Sequence, residues 1–171
     1  ANGELLSMVS SPNFDSNLIT KKPNQKYWDS LIDNSLSPLT DRSIQGLYSP
    51  GSTFKMMVAI AALRNGYIES SELVPCTGKI EYGDRLFHCW KTRGHGSMDI
   101  ITAIRESCDV FFYQLSLKVG IDKIAKVALD FGLGKIYPLK LRNQKKGIIP
   151  SKKWKKENLK ENWYAGETLN A

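Results

Sequence analysis

The chain has 171 residues, 42% hydrophobic and 10% aromatic, enough apolar content to bury a core and too much for a disordered chain. Its longest apolar run, Met56 to Leu63, is far shorter than a membrane-spanning helix, and the opening Ala1-Asn2-Gly3-Glu4 has neither the basic-then-apolar pattern of a signal peptide nor an initiator methionine, which points to an excised or processed piece. The net charge of +7 comes from lysines crowded into the last third, without interleaved aromatics or a nucleic-acid motif, so a solvated basic face is expected and no nucleic-acid partner; an anionic polymer or membrane surface would suit it equally.

Along the chain, Glu4–Val9 is predicted to be a strand, closed by the turn formers Ser10, Ser11, Pro12 and Asn13. Residues 26–33 form a short helix and Ser37 to Arg42 a loop. Pro50-Gly51 turns the chain into a nearly all-apolar helix, Ser52 to Arg64, which Asn65-Gly66 ends. Residues 73–95 are short strand-like pieces rich in Gly and Cys. Asp99 caps a helix that runs through Arg105, and a second helix runs from Ser107 to Gly120. A third starts at Asp122, with Ile124, Ala125, Ala128 and Phe131 on one face, and stops at Gly132. Residues 134–160 are basic and only weakly periodic.

The chemically suggestive stretch is Tyr48-Ser49-Pro50-Gly51-Ser52-Thr53-Phe54-Lys55. Residues three apart in a helix face the same way, so the Lys55 amine can lie beside the Ser52 hydroxyl and activate it as a nucleophile without a histidine. The first turn of a helix also offers backbone N–H groups to an oxyanion, and burial disfavours an ammonium ion, which suits a general base. A Ser N-cap with a lysine reaching to solvent fits the same pattern. Ser107 and Asp109, ahead of the aromatic run Phe111-Phe112-Tyr113, read by themselves as a helix cap.

Taken together the two clusters resemble the transpeptidase domain of penicillin-binding proteins, of the class B elongation subfamily known as penicillin-binding protein 2. The resemblance runs from Gly3 to the end. It is carried by Val9-Ser10-Ser11-Pro12-Asn13-Phe14-Asp15, by Arg42 to Lys55, by Trp90-Lys91-Thr92-Arg93-Gly94-His95-Gly96, by Ser107 to Gln114, by Gly147 to Ser151 and by Trp163 to Asn170. It implies an α/β, penicillin-recognising serine transpeptidase (β-lactamase-like) fold, truncated here to a mostly helical piece with a few strands. It also implies roles. Ser52 attacks a D-alanyl-D-alanine stem peptide of peptidoglycan, Lys55 takes its proton, Ser107 relays a proton to the leaving group and Asp109 holds the network. The Ser52 N–H forms half of an oxyanion hole, and a β-lactam acylates the same serine. An elongation glycosyltransferase partner and a place on the periplasmic face of the inner membrane, through an anchor absent here, follow from the same resemblance.

One departure matters. No Lys is followed by Ser or Thr and then Gly, the third motif of the family. Residues 1–171 are therefore expected to be a partial transpeptidase domain without the C-terminal part that bears that motif, and a poor catalyst or inactive alone. A serine β-lactamase or β-lactam sensor, and a catalytically dead interaction fragment stapled by zinc, are the alternative readings.

The three cysteines fall with a histidine in the pattern C-x12-C-x5-H-x12-C: Cys76, Cys89, His95 and Cys108. Three thiolates and an imidazole make a closed zinc site, structural because it leaves no open position. The spacing is not that of a zinc finger. A Cys76–Cys89 disulfide, or buried thiols beside a surface histidine, fits as well, and His88 and Asp84 are alternate ligands. Some members of the resembled subfamily carry zinc in this region, which implies a structural ion here. Phe111, Phe112, Tyr113 and Leu115 read as core, and Trp90 and Trp163 as rim or packing residues.

Overall fold

Glu4–Val9 shows at once how far local propensity reaches. In the computed structural model, which describes residues 2–21 and 24–170, this predicted strand pairs with no other strand among the described residues, and Leu5, Leu6 and Val9 are exposed. A strand exists only through the ladder of a neighbour, so alternation in the sequence alone leaves it as extended chain.

The described chain forms two compact units. The first holds the residues up to Tyr48 together with Ile136–Lys146. It carries α1 (Asn17–Thr20), α2 (Gln25–Ile32) and α3 (Arg42–Gln45). Asn24 caps α2 by accepting the Tyr27 N–H at 3.2 Å, and Leu31 is its buried residue. The predicted loop Ser37 to Arg42 gives way to α3 at Arg42, because Asp41 accepts the Ser43 N–H at 3.0 Å and so starts a helix. The Ser10 hydroxyl accepts the Arg42 N–H and donates to the Thr40 carbonyl, and the Lys145 N–H donates to Ile44 O.

The second unit, Ser49–Lys135 with the chain from Gly147 on, contains the main core. A 3-10 turn, Gly51–Phe54, leads into α4 (Lys55–Arg64). Val58, Ala59, Ala61 and Ala62 are buried, while Met56 and Leu63 are exposed, so the helix is apolar all round but buried on one side. β1 (Val74–Cys76) pairs antiparallel with β4 (Gly96–Met98), Cys76 opposite Gly96. β2 (Lys79–Tyr82) and β3 (Arg85–His88) form a hairpin, Lys79 opposite His88. Asp99 caps α5 (Ile100–Arg105), taking the Thr102 N–H at 2.7 Å, as its sequence position predicts.

α6 (Asp109–Val119) is the central helix: Phe111 is fully buried, and Phe112, Leu115 and Val119 pack with it against α4 and α7 (Ile121–Asp130). It begins at Asp109, two residues later than expected, because Ser107 is in the left-handed region at φ +51° and Cys108 takes the cap, its sulfur accepting the Phe111 N–H at 3.4 Å. In α7, Ile121, Ile124, Ala125, Val127 and Ala128 make the buried face; Phe131 lies beyond the helix end, half-exposed with the Arg64 guanidinium over its ring. The basic run also contains a helix its periodicity does not announce, α8 (Lys152–Leu159), started by the Ser151 cap on the Trp154 N–H. A closing 3-10 turn, Ala165–Asn170, packs on α6.

Candidate active site

The Pro50-Gly51 turn puts Ser52 in the tight turn ahead of α4 and Lys55 at the first position of the helix. The left-handed Ser107 and the start of α6 face them. The Ser107 hydroxyl donates to Ser52 Oγ at 2.9 Å. Lys55 Nζ donates to Ser107 Oγ at 3.1 Å, to the Ser107 carbonyl at 2.8 Å and to Asp109 Oδ1 at 2.6 Å. An ammonium group has three donors, and these three oxygens match them. The four predicted site residues thus meet, with one change from the expected geometry. The Lys55 amine does not bond Ser52 among the described contacts; the Ser107 hydroxyl stands between them.

Asp109 works in two directions. Its Oδ1 accepts from Lys55, and its Oδ2 accepts the Trp90 backbone N–H at 3.1 Å. The Lys55 and Asp109 side chains are only 15% and 24% exposed, so this is a partly desolvated ion pair. Trp90 is further held by its indole N–H on the Glu106 carbonyl at 3.0 Å, although the ring remains exposed. Sequence reasoning missed Trp90 as a support of Asp109, because a backbone donor leaves no residue-type signal. A cleft of about 410 Å³ opens onto Ser52 and Lys55, walled by Asp109, Tyr113, Leu169 and Asn170. Burial, then the Asp109 carboxylate and Cys89, raise the Tyr113 hydroxyl above its ordinary value.

Beside this cleft, Cys76, Cys89, His95 and Cys108 converge, all their ligand atoms within 4.8 Å of one another. His95 Nδ1 is 3.6 Å from the Cys76 sulfur and 3.5 Å from that of Cys89, and the Cys89 and Cys108 sulfurs are 4.0 Å apart. Tetrahedral zinc with its usual bond lengths separates S from N by about 3.5 Å and S from S by about 3.8 Å, so the four residues fit a metal. A disulfide needs sulfurs about 2.05 Å apart; the three thiols are free and buried, so the Cys76–Cys89 bridge is not formed. His88 and Asp84, the alternates, are exposed on the β2–β3 hairpin, outside the group. Burial pushes the Cys108 thiol up to about 12, against the opposing Phe111 N–H. Burial also acts to raise Cys89, but backbone N–H donors of Lys91, Val110 and Asp109 outweigh it and lower that thiol. Two close crossings of backbone hold the loop: a Cβ on Gly94 would stand 2.1 Å from the Cys76 carbonyl, and one on Gly78 2.1 Å from that of Thr92.

Residues 1–168 match the penicillin binding protein transpeptidase domain. The chain belongs to this transpeptidase family. It is 38% identical to the peptidoglycan D,D-transpeptidase MrdA of Acinetobacter baumannii over 98% of its own length and 25% of that protein's. Among solved structures it is similar to penicillin-binding protein 2 of Helicobacter pylori in complex with MreC, with a TM-score of 0.92 at 37% identity over 98% of this chain and 31% of that one. Penicillin-binding protein 2 of Pseudomonas aeruginosa in complex with WCK 5153 gives 0.91 at 36%, over 98% and 38%. The expected fold is therefore that of the penicillin-binding transpeptidases, and the chain spans about a quarter of the length of the curated relatives it matches. No helix among the described residues is long and apolar enough to cross a membrane.

Proposed function

We propose that this transpeptidase chain carries the nucleophile half of a serine D,D-transpeptidase that cross-links peptidoglycan stem peptides during elongation and is acylated by β-lactams. The observation that carries the reading is the run of contacts Ser52 Oγ–Ser107 Oγ–Lys55 Nζ, at 2.9 and 3.1 Å. With the lysine amine neutral and the two hydroxyl rotors reversed, Ser52 donates to Ser107 and Ser107 to Lys55. As Ser52 Oγ bonds to the penultimate D-alanine carbonyl carbon, its proton passes to Ser107 and the Ser107 proton to Lys55. The return path delivers a proton to the departing D-alanine amine when the C–N bond breaks. Asp109 keeps the resulting ammonium in place, and this reading assigns the Ser52 N–H, in the 3-10 turn ahead of α4, as one donor to the developing oxyanion. An amine of a neighbouring stem then displaces Ser52 and forms the cross-link.

The same reading assigns Cys76, Cys89, His95 and Cys108 to one zinc ion, whose chemistry is structural: four protein ligands bind the β1–β4 region to the start of α6. The 171 residues contain no Lys-Ser/Thr-Gly triplet, and on this reading residues 1–171, a partial transpeptidase domain, are a poor catalyst or inactive by themselves. A periplasmic place at the inner membrane and a glycosyltransferase partner belong to this reading; a similar chain solved in a peptidoglycan synthase complex that coordinates polymerization and crosslinking supports the partner, and the Helicobacter pylori relative's complex with MreC supports assembly with other proteins.

Fluorescent penicillin on a denaturing gel tests the nucleophile. The protein that carries this chain should be labelled, and Ser52→Ala should abolish labelling with the fold intact; label that survives Ser52→Ala refutes it. Metal analysis of protein purified without chelator should find about one zinc per chain, and little in Cys108→Ser. Metal-free wild type would end the zinc assignment.

A further inference from the structure

We propose that Lys155 and Glu167 are positioning residues that hold the Ala165–Asn170 turn in place as a wall of the Ser52 cleft, and so set how well a ligand binds there. The proposal rests on the reading of Ser52 as nucleophile.

The wall itself has little means of standing alone. A 3-10 turn of six residues has poor hydrogen-bond geometry and no cooperative length. Yet Leu169 is 3% exposed, seated against α6, and with Asn170 it lines the same cleft as Ser52. Something must fix the turn, and the contacts converge on Glu167. Its Oε1 accepts from Lys155 Nζ at 2.5 Å and its Oε2 accepts the Tyr164 N–H at 2.9 Å. Trp163 closes the same loop through its indole N–H on Thr168 Oγ1.

Lys155 differs from the lysines around it. Lys152 and Lys153 have side chains 66% and 82% exposed, whereas that of Lys155 is 7% exposed. A lysine is almost never buried unless paired, and its partners are Glu167, Glu161 at 3.2 Å and the face of the Tyr164 ring. The mutual hydrogen bond raises the Lys155 ammonium and lowers the Glu167 carboxyl from their ordinary values, so each favours the charged form of the other. α8, which bears Lys155, is anchored in turn: the Lys152 N–H donates to Asp122 on α7 at 3.0 Å. A mechanical path thus runs from α7 through α8 and the ion pair to the cleft wall.

The test follows acylation by a fluorescent penicillin against its concentration, with hydrogen exchange over residues 163–170, in the protein that carries this chain. If Lys155→Met leaves the wall formed in about one molecule in ten, the half-saturating concentration rises about tenfold while the limiting acylation rate stays within about twofold, because saturating ligand repopulates the formed wall. Exchange at 165–170 should quicken. Lys155→Arg should restore both readouts, and Lys153→Met, on the exposed side of the helix, should change neither. Unchanged half-saturation and unchanged exchange in Lys155→Met overturn the proposal, as does a fall in limiting rate at unchanged half-saturation. If Lys155→Met unfolds, seen as exchange spreading through α4 and α6, Glu167→Gln carries the test, since its amide oxygen still accepts the Tyr164 N–H while its NH₂ offers Lys155 neither charge nor acceptor. Wild type that takes no label sinks the Ser52 reading instead; exchange at 165–170, fast in Lys155→Met and slow in Lys155→Arg, then decides the clamp by itself, and equal exchange in both refutes it.

Discussion

Replacing Lys55 and Asp109 singly and together measures the link between α4 and α6. The charged atoms are 2.6 Å apart on side chains 15% and 24% exposed. Two unit charges at that separation attract by about 6 kcal/mol at an effective dielectric of about 20, before desolvation is counted. Removing both from water cancels most of this, and a hydrogen bond to a charged group nets about 1.5–3 kcal/mol. Lys55→Met and Asp109→Asn should therefore show a coupling of about 2 kcal/mol in a double-mutant cycle on urea unfolding. Asparagine is the informative replacement. The carboxylate serves Lys55 with one oxygen and the Trp90 N–H with the other, whereas an amide has one oxygen and must present its NH₂ to the remaining donor. Asp109→Asn alone should then cost about 2 kcal/mol, or about 4–8 °C in melting temperature for a chain of this size. A coupling below about 0.5 kcal/mol is what distant, independent sites give; it would mean that the pair does not lock the two helices, and the argument for a positioned Lys55 would fail with it.

The remaining predictions concern the frame of the site. Gly94→Ala should cost about 3 kcal/mol or more, since φ is +77° and the new methyl would sit 2.1 Å from the Cys76 carbonyl. Gly83→Ala, at φ +59° in open space, should cost only about 1 kcal/mol; equal losses in thermal melts of the two would refute the close crossing. Asp99 supplies a pH test. Its carboxyl is lowered from 3.8 chiefly by the Thr102 N–H it caps, so its contribution is full above 3.8 and is lost as pH falls through the lower folded value. Asp99→Asn keeps a cap without the titration and should flatten the acid limb of a helicity-versus-pH curve below that point; an unchanged limb would assign the acid transition to other groups.

What the sequence could and could not reveal follows from the range of the forces involved. Asp99 as a cap and the apolar residues of α4 were legible because caps and periodic apolar runs act within a turn or two. Glu4–Val9 was not, because a strand depends on a partner that alternation does not name. α8 was missed because five of its eight residues are charged and its start depends on one cap at Ser151. Phe131 fitted the helical face of α7 only on the assumption that the helix continued to it; the helix stops at Asp130. For the candidate site, the spacing of Ser52 and Lys55 suggested a direct contact. The intervening hydroxyl of Ser107 comes from a segment 55 positions away, and the Trp90 N–H on Asp109 comes from a backbone atom that every residue type but proline shares. Long-range geometry of this kind has no local signature.

Ser107, Cys108 and Asp109 explain why the two clusters lie side by side. In a helix, successive side chains are spread by about 100° around the axis, and three in a row cannot serve two opposite sites. Here Ser107 is left-handed and Cys108 extended before the helix begins at Asp109. The side chains accordingly alternate as they would in a strand. Ser107 and Asp109 meet Lys55, while Cys108 turns to the sulfur of Cys89 and caps Phe111. A left-handed serine costs about 1–2 kcal/mol, and the structure offsets it at the same place, since that conformation aims the Ser107 carbonyl at Lys55 Nζ, 2.8 Å away. The lysine that the proposed chemistry uses as base is thus also what holds the turn open. The thiol group and the Ser52 cleft share that turn, so a change that straightens residues 107–109 into the helix must disturb both at once.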